Sequence, residues 1–159
     1  MNDRSPVLAR ALRLFFWIVP AVFYTATSCR TPAWLDATMI ASNVVELSLG
    51  SWVNTHNLFH LVGHLWLKIL APVDVHFALV LLCALFGSIT VHFVLLIGLE
   101  LTGRPLGAVI GSLVLMISHS LWWHSTTIEV YTLNTALMAA FLYLVIRFDR
   151  TRRARCLLL

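Results

Sequence analysis

The residue types that do chemistry cluster in the stretch 34–66, WLDATMIASNVVELSLGSWVNTHNLFHLVGHLW. It holds two acids, Asp36 and Glu46, and three histidines, His56, His60 and His64. A second polar segment, 125–134, contributes Glu129, Tyr131 and Asn134. Asp36 follows Trp34-Leu35, directly before an amphipathic pattern. A carboxylate there can act as general base toward a hydroxyl, or hold a divalent cation that binds phosphate. It can equally cap the helix that follows, accepting from free backbone N–H groups. Glu129 falls at a membrane boundary, where ionisable groups are costly and tend to be functional; a Glu opening a helix also suits the helix dipole.

His56, His60 and His64 are spaced i, i+4, i+8. On a helix this places them near one face. Two such histidines can bind zinc with a carboxylate completing the site, and a haem needs only one or two of them. No HExxH pattern accompanies them, and interfacial histidines meeting their polarity at the headgroup level explain the spacing as well. Trp34, Trp52, Trp66, Trp122 and Trp123 all map to the same side of the membrane, as an aromatic belt does.

The elements that must position these groups are membrane-grade. Of 159 residues, 60% are hydrophobic and 11% charged, and the mean hydropathy is +0.88; soluble domains carry about 25% charged residues. The composition predicts an all-α, polytopic membrane protein. The net charge of +4 does not point to nucleic acid, because the arginines sit at the chain ends and beside the apolar runs, as topology signals do. Four spans are expected, at 7–28, 75–101, 108–124 and 133–148, against the roughly 20 apolar residues a crossing needs. The third and fourth are short, which leaves a tilted or re-entrant pair open. Residues 1–6 and the basic tail 149–159 are expected to be cytoplasmic, and 29–73 forms an outer loop. Within that loop, 37–49 reads as an amphipathic surface helix, broken at Gly50-Ser51. A second helical pattern covers 57–70, ending before Pro72. Gly107, Gly111 and Ser112 give the third span a small-residue face. Thr102-Gly103-Arg104-Pro105 reads as a turn. His92, inside the second span, reads as a buried hydrogen-bonding residue. Cys29, Cys83 and Cys156 form no framework, and Cys83 reads as a small core residue. Cys156-Leu157-Leu158-Leu159 fits a prenylation box in form only.

Two patches carry a family resemblance. One is Leu82-Cys83-Ala84-Leu85-Phe86-Gly87-Ser88; the other runs over 103–134 and ends Ile128-Glu129-Val130-Tyr131-Thr132-Leu133-Asn134. Their order and spacing resemble the DUF2723 membrane proteins, which belong with the GT-C glycosyltransferases, protein O-mannosyltransferases among them. The resemblance implies a multispanning enzyme that takes a sugar from a polyprenyl-phosphate carrier on the non-cytoplasmic face, in a bacterial inner membrane or the ER. It places Asp36 at the family's outer-loop acid, as base or as holder of a divalent cation. Glu129 is the second catalytic candidate; Tyr131, Asn134, His56 and Trp34 are candidates for binding the donor phosphate or the acceptor. The chain departs from the family pattern where Ala37-Thr38-Met39 replaces a second acid, and over 53–59, which lacks the family's prolines. Those departures, with the short length, support an alternative: a non-catalytic membrane subunit of the same descent that binds another membrane protein or a lipid.

Overall fold

The computed structural model describes residues 6–31, 35–50 and 56–151. Trp34, Trp52 and the Cys156 tail lie outside them. Seven helices are found among the described residues: α1 (Pro6–Ala26), α2 (Leu35–Val45), α3 (Asn57–Ile69), α4 (Val75–Thr102), α5 (Pro105–Ile117), α6 (His119–Thr126) and α7 (Tyr131–Thr151). The protein is all-α, as its composition predicts.

The centre is α4. Its sequence is apolar on every side, which suits a helix surrounded by others, and α1, α5, α6 and α7 all pack on it. Asp74 opens the helix, its carboxylate accepting from the Phe77 N–H at 3.0 Å. Gly103, at φ 62°, closes it in the left-handed conformation that glycine adopts without strain. Pro105 then starts α5 at a position whose N–H has no helical partner. Two apolar cores divide along α4. One joins α2, α3 and the segment before α7 through Val44, Phe59, Leu79, Leu82 and Ile128. The other joins α1, α5 and α6 through Phe16, Tyr24, Val91, Leu95 and Leu121. Tyr24 donates to the Met116 carbonyl at 3.0 Å, tying α1 to the end of α5.

By length and apolarity, two helices among the described residues suffice to cross a membrane, α4 and α7. A third crossing is met if α5 and α6 count as one span bent by 57°. Residues 108–124, which read as one run, are therefore two helices. Ser118 breaks them: it is extended at φ −60°, ψ 134°, and its hydroxyl donates to the Leu115 carbonyl at 2.7 Å, taking an acceptor that helix continuation would use. The four spans expected from charge and hydropathy thus meet two to three by length and composition.

The two ends of the bundle differ. At one end Arg150 meets Glu100 at 3.9 Å and donates to the Leu101 carbonyl. Arg104 lies exposed beside them in sequence, in the turn after α4. At the other end, the Cys29 N–H donates to the Thr126 carbonyl at 2.9 Å, and His76 Nε2 meets the Cys29 carbonyl at 3.2 Å. The end of α1, the start of α4 and the end of α6 are thereby joined. His92 is buried where α1 meets α4, its ring 4.8 Å from Trp17. Its ring hydrogen-bonds the Arg13 backbone, as expected of a buried histidine, while its Nδ1 has no partner among the described residues.

A candidate active site at the α2–α3–α7 end

The site candidates converge at the end of the bundle away from Arg150. A cleft of ≈ 450 Å³ is lined by Asp36, Met39, Ile40 and Asn43 of α2, His56 and His60 at the start of α3, and Glu129, Val130 and Tyr131. A second hollow of ≈ 390 Å³ shares His56, Val130 and Tyr131 with it and runs past Phe59, Asn134 and Leu137 along α7. Asp36, Glu129, His56, Tyr131 and Asn134 are thus brought around one composite opening. Trp34 lies outside the described residues.

Local sequence explains each placement. In α2, Asp36, Met39, Ile40 and Asn43 recur at i, i+3, i+4 and i+7, one helical face, while Ala37 and Val44 are buried against the core. Asp36 stands within the first turn of α2, where a carboxylate favours the dipole. The helix stops at Val45, short of the expected 49, because Leu47 turns left-handed at φ 50°. Asn57 then holds the approach to α3. Its side chain accepts from the Gly50 N–H at 3.2 Å and donates to the Gly50 carbonyl at 2.9 Å.

Glu129 sits in the link between α6 and α7. Ile128 and Val130 beside it are buried, so the intervening side chain is left to face the cleft. Its backbone is fastened to α4: the Cys83 thiol donates to the Glu129 carbonyl at 3.3 Å, and the Glu129 N–H donates back to the sulfur at 3.4 Å. Cys83 is more than a small core residue here, since it sets the height of Glu129 against the bundle. Gly87, one turn further along α4, permits the same approach, for a Cβ there would overlap the Ser125 side chain of α6.

Burial raises the Glu129 carboxyl above the usual carboxylate range; His124 opposes this, the Asp36 charge adds to it, and His56 opposes it. The Asp36 charge therefore reaches Glu129, and two carboxylates held in different environments can divide the roles of acid and base.

The histidines do not make the metal site that their spacing suggests. His60 is buried, with Nδ1 at 3.0 Å from the Ser48 carbonyl, and His64 Nδ1 lies 2.9 Å from the Val44 carbonyl. Both pin α3 to the end of α2. Only His56 and His60 reach the cleft. Among the described residues no group of three His, Cys, Asp or Glu could hold a metal ion. A divalent cation at the cleft would have to take its oxygens from Asp36, Glu129, a substrate phosphate and water, which is the mixed set magnesium accepts.

Sequence reasoning missed Met39, Ile40 and Asn43 as cleft residues, although their spacing from Asp36 was legible. It also missed the role of Cys83, for which no local signal exists.

A family model described as protein O-mannosyl-transferase TMEM260 N-terminal domain matches residues 54–159. No curated protein and no solved structure matches the chain. The match takes in His56, Cys83, Glu129, Tyr131 and Asn134 and leaves α1 and Asp36 outside it. It extends over about two-thirds of the sequence, and the chain belongs to the family of the protein O-mannosyl-transferase TMEM260 N-terminal domain.

Proposed function

We propose that the chain carries the N-terminal membrane domain of a GT-C-type glycosyltransferase, of the DUF2723 kind. It passes a sugar, mannose by the family's name, from a polyprenyl-phosphate donor to a hydroxyl of a polypeptide on the non-cytoplasmic face. The observation that carries this reading is the cleft that gathers Asp36, His56, Glu129 and Tyr131 from three separate parts of the chain. Asp36, exposed on α2, takes the proton from the acceptor hydroxyl. The freed oxygen bonds to the anomeric carbon, the carbon–oxygen bond to phosphate breaks, and the polyprenyl phosphate leaves. Glu129, with His56 and Tyr131, orients the phosphate. A divalent cation, if bound, would sit on Asp36 and Glu129 and neutralise the phosphate. The ≈ 390 Å³ hollow continues from Tyr131 and Asn134 past Leu137. Leu137 is half exposed on the outer side of α7, a route by which an isoprenoid chain passes from lipid to cleft.

Four spans with both termini cytoplasmic remain our topology. It is supported by the separation of Arg104 and Arg150 at one end from the acidic cleft at the other. The test is sugar transfer by the full-length protein: Asp36→Asn should abolish it while the protein stays folded, and undiminished transfer would remove Asp36 from the chemistry.

One observation favours the second reading, a membrane subunit that binds another membrane protein. On α5, Gly107 and Gly111 face open space, with Leu106, Ile110 and Val114 exposed around them. That is a surface on which a second apolar helix packs closely. Purification at native abundance separates the readings, a stoichiometric membrane partner without transfer activity favouring the subunit.

A further inference from the structure

The two hollows at the site differ in one wall. The ≈ 390 Å³ hollow along α7 takes no residue from α2. The ≈ 450 Å³ cleft has a wall of Asp36, Met39, Ile40 and Asn43, all from α2. Asp36, which serves the acceptor hydroxyl, therefore belongs to the cleft, and the lipid route to the other hollow. Asn43 is the polar group on the α2 wall that the fold leaves unused. It is half-buried, and its side-chain amide has no hydrogen bond among the described residues. Such an amide offers two N–H donors and a carbonyl acceptor. A polypeptide backbone offers the matching groups, one N–H and one C=O per residue. The amide is also held in place. The Asn43 carbonyl accepts from the Ser48 N–H at 2.9 Å. His64 Nδ1 lies 2.9 Å from the Val44 carbonyl, and His60 Nδ1 lies 3.0 Å from that of Ser48. This end of α2 is thus clamped to α3, and a group fixed beforehand loses little freedom on binding.

We propose that the α2 wall seats an extended stretch of the acceptor polypeptide. Its serine or threonine hydroxyl lies at Asp36, and the backbone three residues away pairs with the Asn43 amide. The proposal rests on the transferase reading. The spacing supports it. Asp36 and Asn43 are seven positions apart on one helix, a rise of ~10 Å. An extended chain advances about 3.3 Å per residue, so three residues cover that distance. Met39 and Ile40 stand between the two polar groups and line the same cleft, an apolar floor under the intervening residues. Asn43 touches no reacting atom. It is a positioning residue that sets the register of the acceptor, so that a hydroxyl and not a neighbouring side chain meets the carboxylate. The acceptor is thereby a chain with at least three residues beyond the modified one, rather than a free hydroxy amino acid.

The experiment uses the full-length protein in lipid nanodiscs with a polyprenyl-phosphate mannose donor. The acceptors are end-blocked and grow from a single threonine to threonine carrying one, two or three alanines on either flank. With the native protein, the third alanine on one flank should lower the acceptor KM about tenfold, the worth of one good hydrogen bond. The first two alanines should add little. Asn43→Ala should lose that gain, so that the longest peptide behaves like the single threonine. Asn43→Gln, which keeps the amide, should retain most of it. A merely structural role would instead shift short and long acceptors together. That result, or a native KM indifferent to the third residue, would overturn the proposal. If Asn43→Ala does not fold, the native length series and the glutamine variant decide. Equilibrium binding of the same peptides, fluorescently tagged and without donor, tells this proposal from the reading beneath it. Length-dependent binding that Asn43→Ala abolishes, without any sugar transfer, would sustain the peptide seat and sink the transferase reading. Transfer with a length-independent KM would do the reverse.

Discussion

Cys83 and Glu129 exchange two hydrogen bonds: the thiol donates to the Glu129 carbonyl at 3.3 Å, and the Glu129 N–H donates to the sulfur at 3.4 Å. A residue buried in α4 thereby fixes the backbone that presents a carboxylate to the cleft. Replacing Cys83 by Ala removes both bonds and leaves a small void. The expected loss is about 1–2 kcal/mol, read as a lowered midpoint of thermal unfolding in detergent. Sugar transfer should fall further than stability alone explains, because Glu129 is released.

Gly87 makes a sharper case. A Cβ there meets the Ser125 Cβ at 2.8 Å as well as its hydroxyl, so no rotamer of Ser125 relieves the overlap. Gly87→Ala should push α6 away from α4 and destabilise the fold by about 1–3 kcal/mol. Gly107→Ala, at a glycine facing open space, should leave the unfolding midpoint unchanged or slightly higher. Equal midpoints for the two variants would show that the α4–α6 contact is looser than described.

Glu129 gives a pH signature. Its folded carboxyl is raised by burial above the ordinary range, so the folded state binds the proton more tightly than the unfolded chain. That stabilisation is complete below the ordinary carboxylate pKa and is lost as pH rises through the raised one. Glu129→Gln should therefore unfold at a higher temperature than the native protein at neutral pH. The difference should shrink toward zero near pH ~4, where both states carry the proton. A pH-independent difference would mean that Glu129 is solvated.

His60 ties α3 to the end of α2 through the Ser48 carbonyl. His60→Leu leaves that carbonyl without its partner and should cost about 1–3 kcal/mol. Zinc added to the native protein should not move the unfolding midpoint, since among the described residues no group of three possible ligands could hold it. A zinc-dependent rise would return the histidines to the metal-site reading.

How far the sequence discloses this depends on the range of the interaction. The all-α membrane character follows from composition, and the Thr102–Pro105 turn from residue types that act locally. The i, i+3, i+4, i+7 face of α2 was equally legible once Asp36 was chosen. The Ser118 break was hidden, because serine is tolerated in apolar helices and only its local bond to Leu115 reveals the bend. The histidine spacing left metal and interfacial readings open: periodicity reports a shared face but not whether further ligands converge on it, and among the described residues none do. Cys83 was legible as a core residue, but its bonds to Glu129 were not, since that partner lies in the distant link between α6 and α7. Asp36 and Glu129 were each open to a bland alternative, and what favours chemistry is that the fold lines one cleft with both.

That shared cleft is the central claim, and transfer of mannose from a polyprenyl-phosphate donor to a threonine peptide by the purified full-length protein tests it most directly. Asp36→Asn and Glu129→Gln, each folded by the same unfolding measurement, should both lower kcat by about 10²–10⁴-fold. The double variant should be little worse than either alone, as expected of groups that act as one unit. Wild-type turnover in either single variant would contradict the account.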